Sequence, residues 1–167
     1  MPLNRFFAGL TAFALVGSAA GLLLWGIETK RPMLAAAQIQ TTTTSPDHKV
    51  AIQVNQNDKA VMELALNNAR NIIEHYKATG ETVAVEIVTY GPGLHMLRND
   101  TSPVKERIAV MSLESPNLTF AACGNTQANQ SKAENKPVIL IDEAKVTPSG
   151  VVRLMELQQQ GYAYIRP

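Results

Sequence analysis

The chain has 167 residues, enough for one domain with a substantial core and a short appendage. Lys plus Arg number 15 against 14 Asp plus Glu, and no basic cluster appears past residue 37, so no nucleic acid is expected as a partner. The single cysteine rules out an internal disulfide, and the domain must stand on its core alone.

The first element is the uncharged run Phe6 to Ile27, with Arg5 before it and Glu28, Lys30 and Arg31 after it. It exceeds the about 7–15 residues of a secretory apolar region and matches the roughly 20 of a spanning helix, which favours a membrane anchor. Ala35-Ala36-Ala37 before Gln38 is also an acceptable cleavage site, and Ser18-Ala19-Ala20 is a weaker one. Residues 1–37 are therefore expected to be a signal peptide or a membrane anchor. Either delivers the domain outside the cytoplasm, into the periplasm or onto the membrane, although the flanking charges leave orientation open. Residues 38–48, with the polar stretch from Thr41 to His48, read as linker, and 49–167 as the domain.

From Lys49 the pattern alternates between strand and helix. KVAIQVN is the first strand, ending in Asn55-Gln56-Asn57-Asp58. A helix is expected from Lys59 to Ala78, with Met62, Leu66, Ala69, Ile73 and Tyr76 as its apolar stripe. Asn57 or Asp58 would cap it, and Gly80 would end it. TVAVEIVTY is the second strand, stopped by the turn Gly91-Pro92-Gly93. A short helical piece over Leu94–Arg98 leads to Ser102-Pro103, a cap residue followed by the proline of a first helical turn. Val104, Ile108 and Met111 form the apolar face of that helix. LTFAAC is the third strand, and NTQANQSKAENK after it is polar and helical. The fourth strand lies in VILIDEAKVTP, where periodicity leaves Val138–Ile141 and Ala144–Thr147 both open. Thr147-Pro148 repeats the cap-plus-proline pattern, a helix runs to Gln160 and Gly161, and YAYIRP closes the chain as a fifth strand. Five strands alternating with four helices predict an open parallel α/β sheet covered on both faces. Function in such sheets sits beyond the C-terminal strand ends, at the switch of the winding order. A flavodoxin-like order would place that switch between strands one and three, whose ends are Asn55–Asp58 and Cys123–Asn125.

Several chemistries are absent from these loops. A flavin-phosphate loop needs hydroxyls after strand one, where the sequence has Asn-Gln-Asn-Asp, and a response regulator needs acids where strand three ends in Cys-Gly-Asn. No phosphate-binding glycine motif, nucleophile elbow or metal-type spacing of His48, His75 and His95 occurs. His95 reads first as a surface residue in a helical turn, and Asp142-Glu143 is a lone acidic pair. Cys123 remains. It ends a strand just before a helix, whose N-terminal partial charge and free N–H groups favour a thiolate. Gly124 would admit a second molecule, and Asn125 or Thr126 would cap the helix. Cysteine is also among the most buried residue types, so FAAC reads equally well as a strand packed on both sides.

TYGPGLHMLRNDTSPVKERI, LTFAACGNT and KVTPSGVVRLMELQQQGYAYIRP, in that order, resemble the DsrE/DsrF-like family, and the likeness covers the chain from about Lys49 onward. The resemblance implies a flavodoxin-like α/β domain that assembles into trimers or hexamers. In the sulfur-trafficking members it implies a persulfide-carrying cysteine at this strand end, the position of Cys123, while the export segment points to the exported branch of the family. Two functions follow. In one, the protein is a thiol-dependent sulfur carrier or sulfurtransferase. Cys123 is then its nucleophile, Asn55, Asp58, Gly124 and Asn125 line the site, no cofactor or metal is used, and a donor or acceptor protein is the partner. In the other, it is a non-enzymatic oligomeric binding or scaffolding module at the membrane surface, with Cys123 as a packing residue.

Overall fold

The computed structural model describes residues 45–167. The apolar segment 6–27 and most of the expected linker lie outside them. The elements are β1 (His48–Val54), α1 (Lys59–Thr79), β2 (Val83–Thr89), a 3-10 segment (Gly91–Leu97) and α2 (Lys105–Glu114). They continue with β3 (Leu118–Cys123), α3 (Gly124–Glu134), β4 (Ala144–Thr147), α4 (Gly150–Gln159) and β5 (Ala163–Ile165). None of the described helices is long and apolar enough to cross a membrane.

Local chemistry accounts for most of these bounds. Asp58 Oδ1 accepts from the Ala60 N–H at 2.7 Å and starts α1, and Gly80 ends it with φ at 78°. Met62, Leu66 and Ala69 face the core as expected, with Ile73 and Tyr76 packed at its margin. Of the two candidates for the fourth strand, Ala144–Thr147 is the paired one, and Leu140 instead bridges Arg98. The two cap-plus-proline sites do not start helices where expected. α2 begins at Lys105 and α4 at Gly150, each two residues past the proline, because the prolines stand in the preceding turns. His48, expected to be linker, is the first residue of β1, since Asp47 anchors the chain by accepting from the Thr82 N–H and hydroxyl at 2.8 Å each.

The sheet is five-stranded and wholly parallel, in the order β4-β3-β2-β1-β5. β2 lies between β1 and β3, so strands one and three do not flank a switch point. The first three connections each step to the next strand in one direction. Right-handed crossovers therefore put α1, α2 and α3 on one face. The β4–β5 connection returns across three strands and puts α4 on the other. The first face carries the main core, including Ile52, Met62, Leu66, Ile87, Phe120 and Ile108. The second is thinner: Leu154 and Leu157 of α4 pack on Ala51, Val88 and Ala121. Arg153 also grips Glu86 with two bonds of 2.7 Å, which accounts for a buried carboxylate in the middle of an apolar strand.

Helix α3 is held differently, because none of its side chains is buried. Arg98, 1% exposed, binds Asp100 through Nε and an Nη at 2.9 and 2.8 Å, and Glu134 near the end of α3 at 2.9 Å. Gln127 donates to the Val138 carbonyl at 2.9 Å, and Gln130 to the Gly91 carbonyl at 3.2 Å. Polar bonds do for α3 what apolar burial does for α1.

The hydrogen bonds from Arg98 hold both the Asp100 and Glu134 carboxyls below the usual carboxylate range. Carboxyls depressed in the fold stabilise it above the unfolded values near pH 4, and that stability is lost as the pH falls through the folded values. Glu134→Gln should therefore lower the melting temperature at neutral pH and flatten its decline on acidification. Thermal melts of both proteins across the acid range check this, and parallel acid declines would refute it.

Candidate functional site

β3 and β4 are neighbours, yet the helices that follow them leave for opposite faces of the sheet. The topological switch of this sheet therefore lies between them. Cys123 pairs with Thr147 across that gap, so the cysteine stands at the switch by a different route from the expected one. Two helices begin there. Cys123 is the N-cap residue of α3, and Gly150 opens α4 directly against it. A Cβ added at Gly150 would lie 3.3 Å from Cys123 Cβ and 3.0 Å from Tyr90 Cβ, so a side chain there would crowd both neighbours.

The thiol feels opposing influences. Burial pushes its pKa up, while the Thr126 hydroxyl and the N–H groups of Gly150, Thr126 and Asn125 pull it down. The net direction is below the ordinary thiol value. The sulfur makes no full capping hydrogen bond, and the Asn125 N–H is shared with the Pro148 carbonyl at 3.2 Å. The donors therefore act on the sulfur mainly as oriented dipoles. Cys123 is 5% exposed, so the thiol is buried at the strand end.

The other expected residues divide. Gly124 does not leave room for a ligand: an added Cβ would lie 3.2 Å from both the Thr147 carbonyl and Val146 Cγ1, so it serves the packing of α3 on β4. Asn125 contributes its backbone N–H and leaves its side chain exposed. Asp58 caps α1, and β2 separates the end of β1 from Cys123, so it lines no wall of the site. Asn55 is not among the groups that act on the thiol; its side chain acts on the Tyr90 phenol instead. Gln53 also donates to the Tyr90 hydroxyl at 2.6 Å and accepts from Tyr164, joining the ends of β2, β1 and β5. Burial, aided by Tyr164, raises the Tyr90 pKa, so its phenol stays neutral at physiological pH.

Tyr90 and Gly150 are the site residues the sequence reading missed. The Ser149-Gly150 pair before a helical pattern and the aromatic residue before Gly91 were their only signals. Gly91, Pro92, His95, Thr126, Asn129 and Gln130 line an open depression of about 440 Å³ between the 3-10 segment and α3, and Cys123 does not line it. Burial and the Arg98 charge lower the His95 pKa, and its Nδ1 lies 2.8 Å from the Thr101 hydroxyl. A larger cavity of about 720 Å³, lined in part by Ile73, Lys77, Val83 and Met111, lies at the opposite end of the sheet. No group of three or more His, Cys, Asp or Glu converges on a metal position among the described residues.

No protein-family model matches the chain, and no curated protein does. Among solved structures it is similar to a protein of unknown function, MTH1491 from Methanobacterium thermoautotrophicum. The two are 30% identical over 72% of this chain and 100% of that one, with a TM-score of 0.60. With the whole of that protein matched in both sequence and fold, the chain belongs to the same family as MTH1491.

Proposed function

We propose that the domain is a thiol-dependent sulfur carrier or sulfurtransferase of the DsrE/DsrF-like kind, with Cys123 as its nucleophile. One observation carries this reading: the sulfur lies between the first turns of two helices, whose donors favour its anion. In the transfer, the Cys123 thiolate attacks the terminal sulfur of a donor persulfide. A bond forms between Sγ and that sulfur, the donor S–S bond breaks, and the electron pair leaves on the donor thiolate. Exchange with an acceptor thiolate reverses the step and restores Cys123. The reading needs no cofactor, and a lone cysteine suits handing sulfur to a partner protein rather than resolving it internally. A flavodoxin-like layering of the sheet belongs to the same reading.

A second reading, a non-enzymatic binding or scaffolding module, is favoured by the burial of Cys123 and by exposed apolar side chains around it. Val146, Val151, Val152 and Met155 are about half exposed at the end of β4 and along α4. The two readings part on the thiol. Native protein at neutral pH should be alkylated by iodoacetamide with a single mass shift, and a small persulfide donor should add one sulfur atom. Cys123→Ser should abolish the added sulfur and keep the fold. Alkylation only after denaturation, or an unfolded serine variant, would leave the second reading standing.

Either reading takes the domain to be a homo-oligomer, a trimer or a hexamer, with those apolar side chains at the subunit contact. Sedimentation of residues 38–167 at micromolar concentration should show the oligomer, and Met155→Glu should weaken it. A monomer before substitution would count against the assembly. The domain is also taken to be exported, through Phe6 to Ile27 as anchor or signal. A fusion of residues 1–48 to a reporter active only in the periplasm should be active, and an inactive fusion would sink the idea.

A further inference from the structure

A parallel sheet is ordinarily covered on both faces. Here α4 covers the second face only over the middle strands, where Leu154 and Leu157 pack on Ala51, Val88 and Ala121. The side chains that β3 and β4 turn to that face beyond α4 are polar: Thr119 and Thr147 are half-buried and Lys145 is exposed. A groove of about 310 Å³ lies there, lined by Ala121 on β3, Lys145 and Thr147 on β4, and Arg153 on α4. That volume is at the small end of the range for ligand sites.

The strand register ties this groove to the thiol. Ala121 pairs with Lys145, and Cys123 with Thr147. Side chains alternate along a strand, so all four point to the α4 side, in agreement with the closeness of Cys123 Cβ to Gly150. Two residues of strand, about 7 Å, separate the level of Cys123 from that of Lys145. The charges in the groove are unequal. Glu86 gives both of its oxygens to Arg153 at 2.7 Å, and Glu156 stands 3.5 Å from another nitrogen of the same guanidinium. Lys145 has no ion pair among the described residues. Its ammonium is therefore the unanswered charge of the groove, on a strand that ends beside the only cysteine.

We propose that this groove binds the carboxylate of a small organic persulfide, with Lys145 as its counter-ion, so that the terminal sulfur of the donor lies at Cys123. The proposal rests on the reading of Cys123 as the sulfur acceptor, and it names the chemical class of the donor. A molecule of amino-acid size, with a persulfide at one end and a carboxylate at the other, spans the two levels. A neutral donor would leave Lys145 unanswered. An apolar surface of a second copy laid on this face would bury the ammonium unpaired, which is costly.

The test compares two alkylating probes of nearly the same shape, anionic iodoacetate and neutral iodoacetamide, on the full chain in mild detergent at neutral pH. The ratio of their rates at Cys123 isolates recognition of the anion, because a change in thiolate fraction alters both rates alike. It should exceed the ratio for N-acetylcysteinamide measured alongside. Lys145→Gln should cut it about threefold, the effect of a partly exposed charge pair. Lys145→Arg should keep most of it, and Lys132→Gln, on α3, should leave it unchanged. A ratio no higher than that of N-acetylcysteinamide, one indifferent to Lys145, or one lowered equally by Lys132→Gln overturns the proposal and leaves the carrier reading standing. If Lys145→Gln spares the ratio and lowers the sedimentation coefficient, the groove is a contact between copies of this chain, and the proposal falls. Alkylation by neither reagent overturns the carrier reading and takes the proposal with it.

Discussion

The structure turns on the point where β3 and β4 end side by side and their helices diverge. A parallel sheet must send each strand into a crossover, and the reversal of direction after β4 makes two of those crossovers start from adjacent strands on opposite faces. Their first turns bring backbone N–H groups near one place, which Cys123 occupies. The approach is close at both helix starts, where a side chain in place of Gly124 would crowd β4 and one in place of Gly150 would crowd Cys123 and Tyr90. Helix ends contribute roughly 0.3–1 kcal/mol each to a nearby charge, and a hydrogen bond to a charged group roughly 1.5–3. Burial acts in the opposite sense and is the largest single influence, yet the donors together leave the net direction below the ordinary thiol value.

That balance depends on how firmly α3 is held. The helix buries no side chain, and its sequence NTQANQSKAE gives the hydrophobic effect nothing to grip. It is fixed at one end by Arg98 and Glu134 and along its length by Gln127 and Gln130. Its start is fixed by Thr126 on Gly91 and by the Asn125 N–H on the Pro148 carbonyl. Directional bonds set orientation more sharply than apolar contact, because they weaken steeply with angle. A helix whose task is to present its first turn to one atom gains from being held this way. The cost is a guanidinium at 1% exposure that must keep its carboxylates.

Much of this was legible in the sequence. Apolar alternation located β1, β2 and β3, and the third strand was bounded to the residue, Leu118–Cys123. Asp58 and Gly80 marked α1 because capping and left-handed backbone are local chemistry. Pairing was not legible, because which parallel strands lie side by side is settled by crossovers rather than by any residue's own preference. The switch was accordingly expected between strands one and three, and Asn55 and Asp58 were assigned to a wall they do not share with Cys123. The cap-plus-proline pairs misled by two residues, since the helices begin two residues past Pro103 and Pro148 and Thr147 is the last residue of β4. Gly150 and Tyr90 were missed for a related reason: each matters only through what another element brings against it.

The two faces of the sheet also differ in a way that bears on function. Three helices and a deep core close one face, whereas α4 alone covers the other and leaves Val151, Val152 and Met155 in solvent. Val151 and Val152 follow directly on Gly150, so a partner subunit that covered them would lie near the start of α4. A scaffold needs only the apolar area. The patch therefore does not separate the two readings, and the electrostatics at the strand ends must. A packing cysteine gains little from the helix-start donors near it, since a neutral thiol is a weak acceptor. A thiolate gains from every one of them.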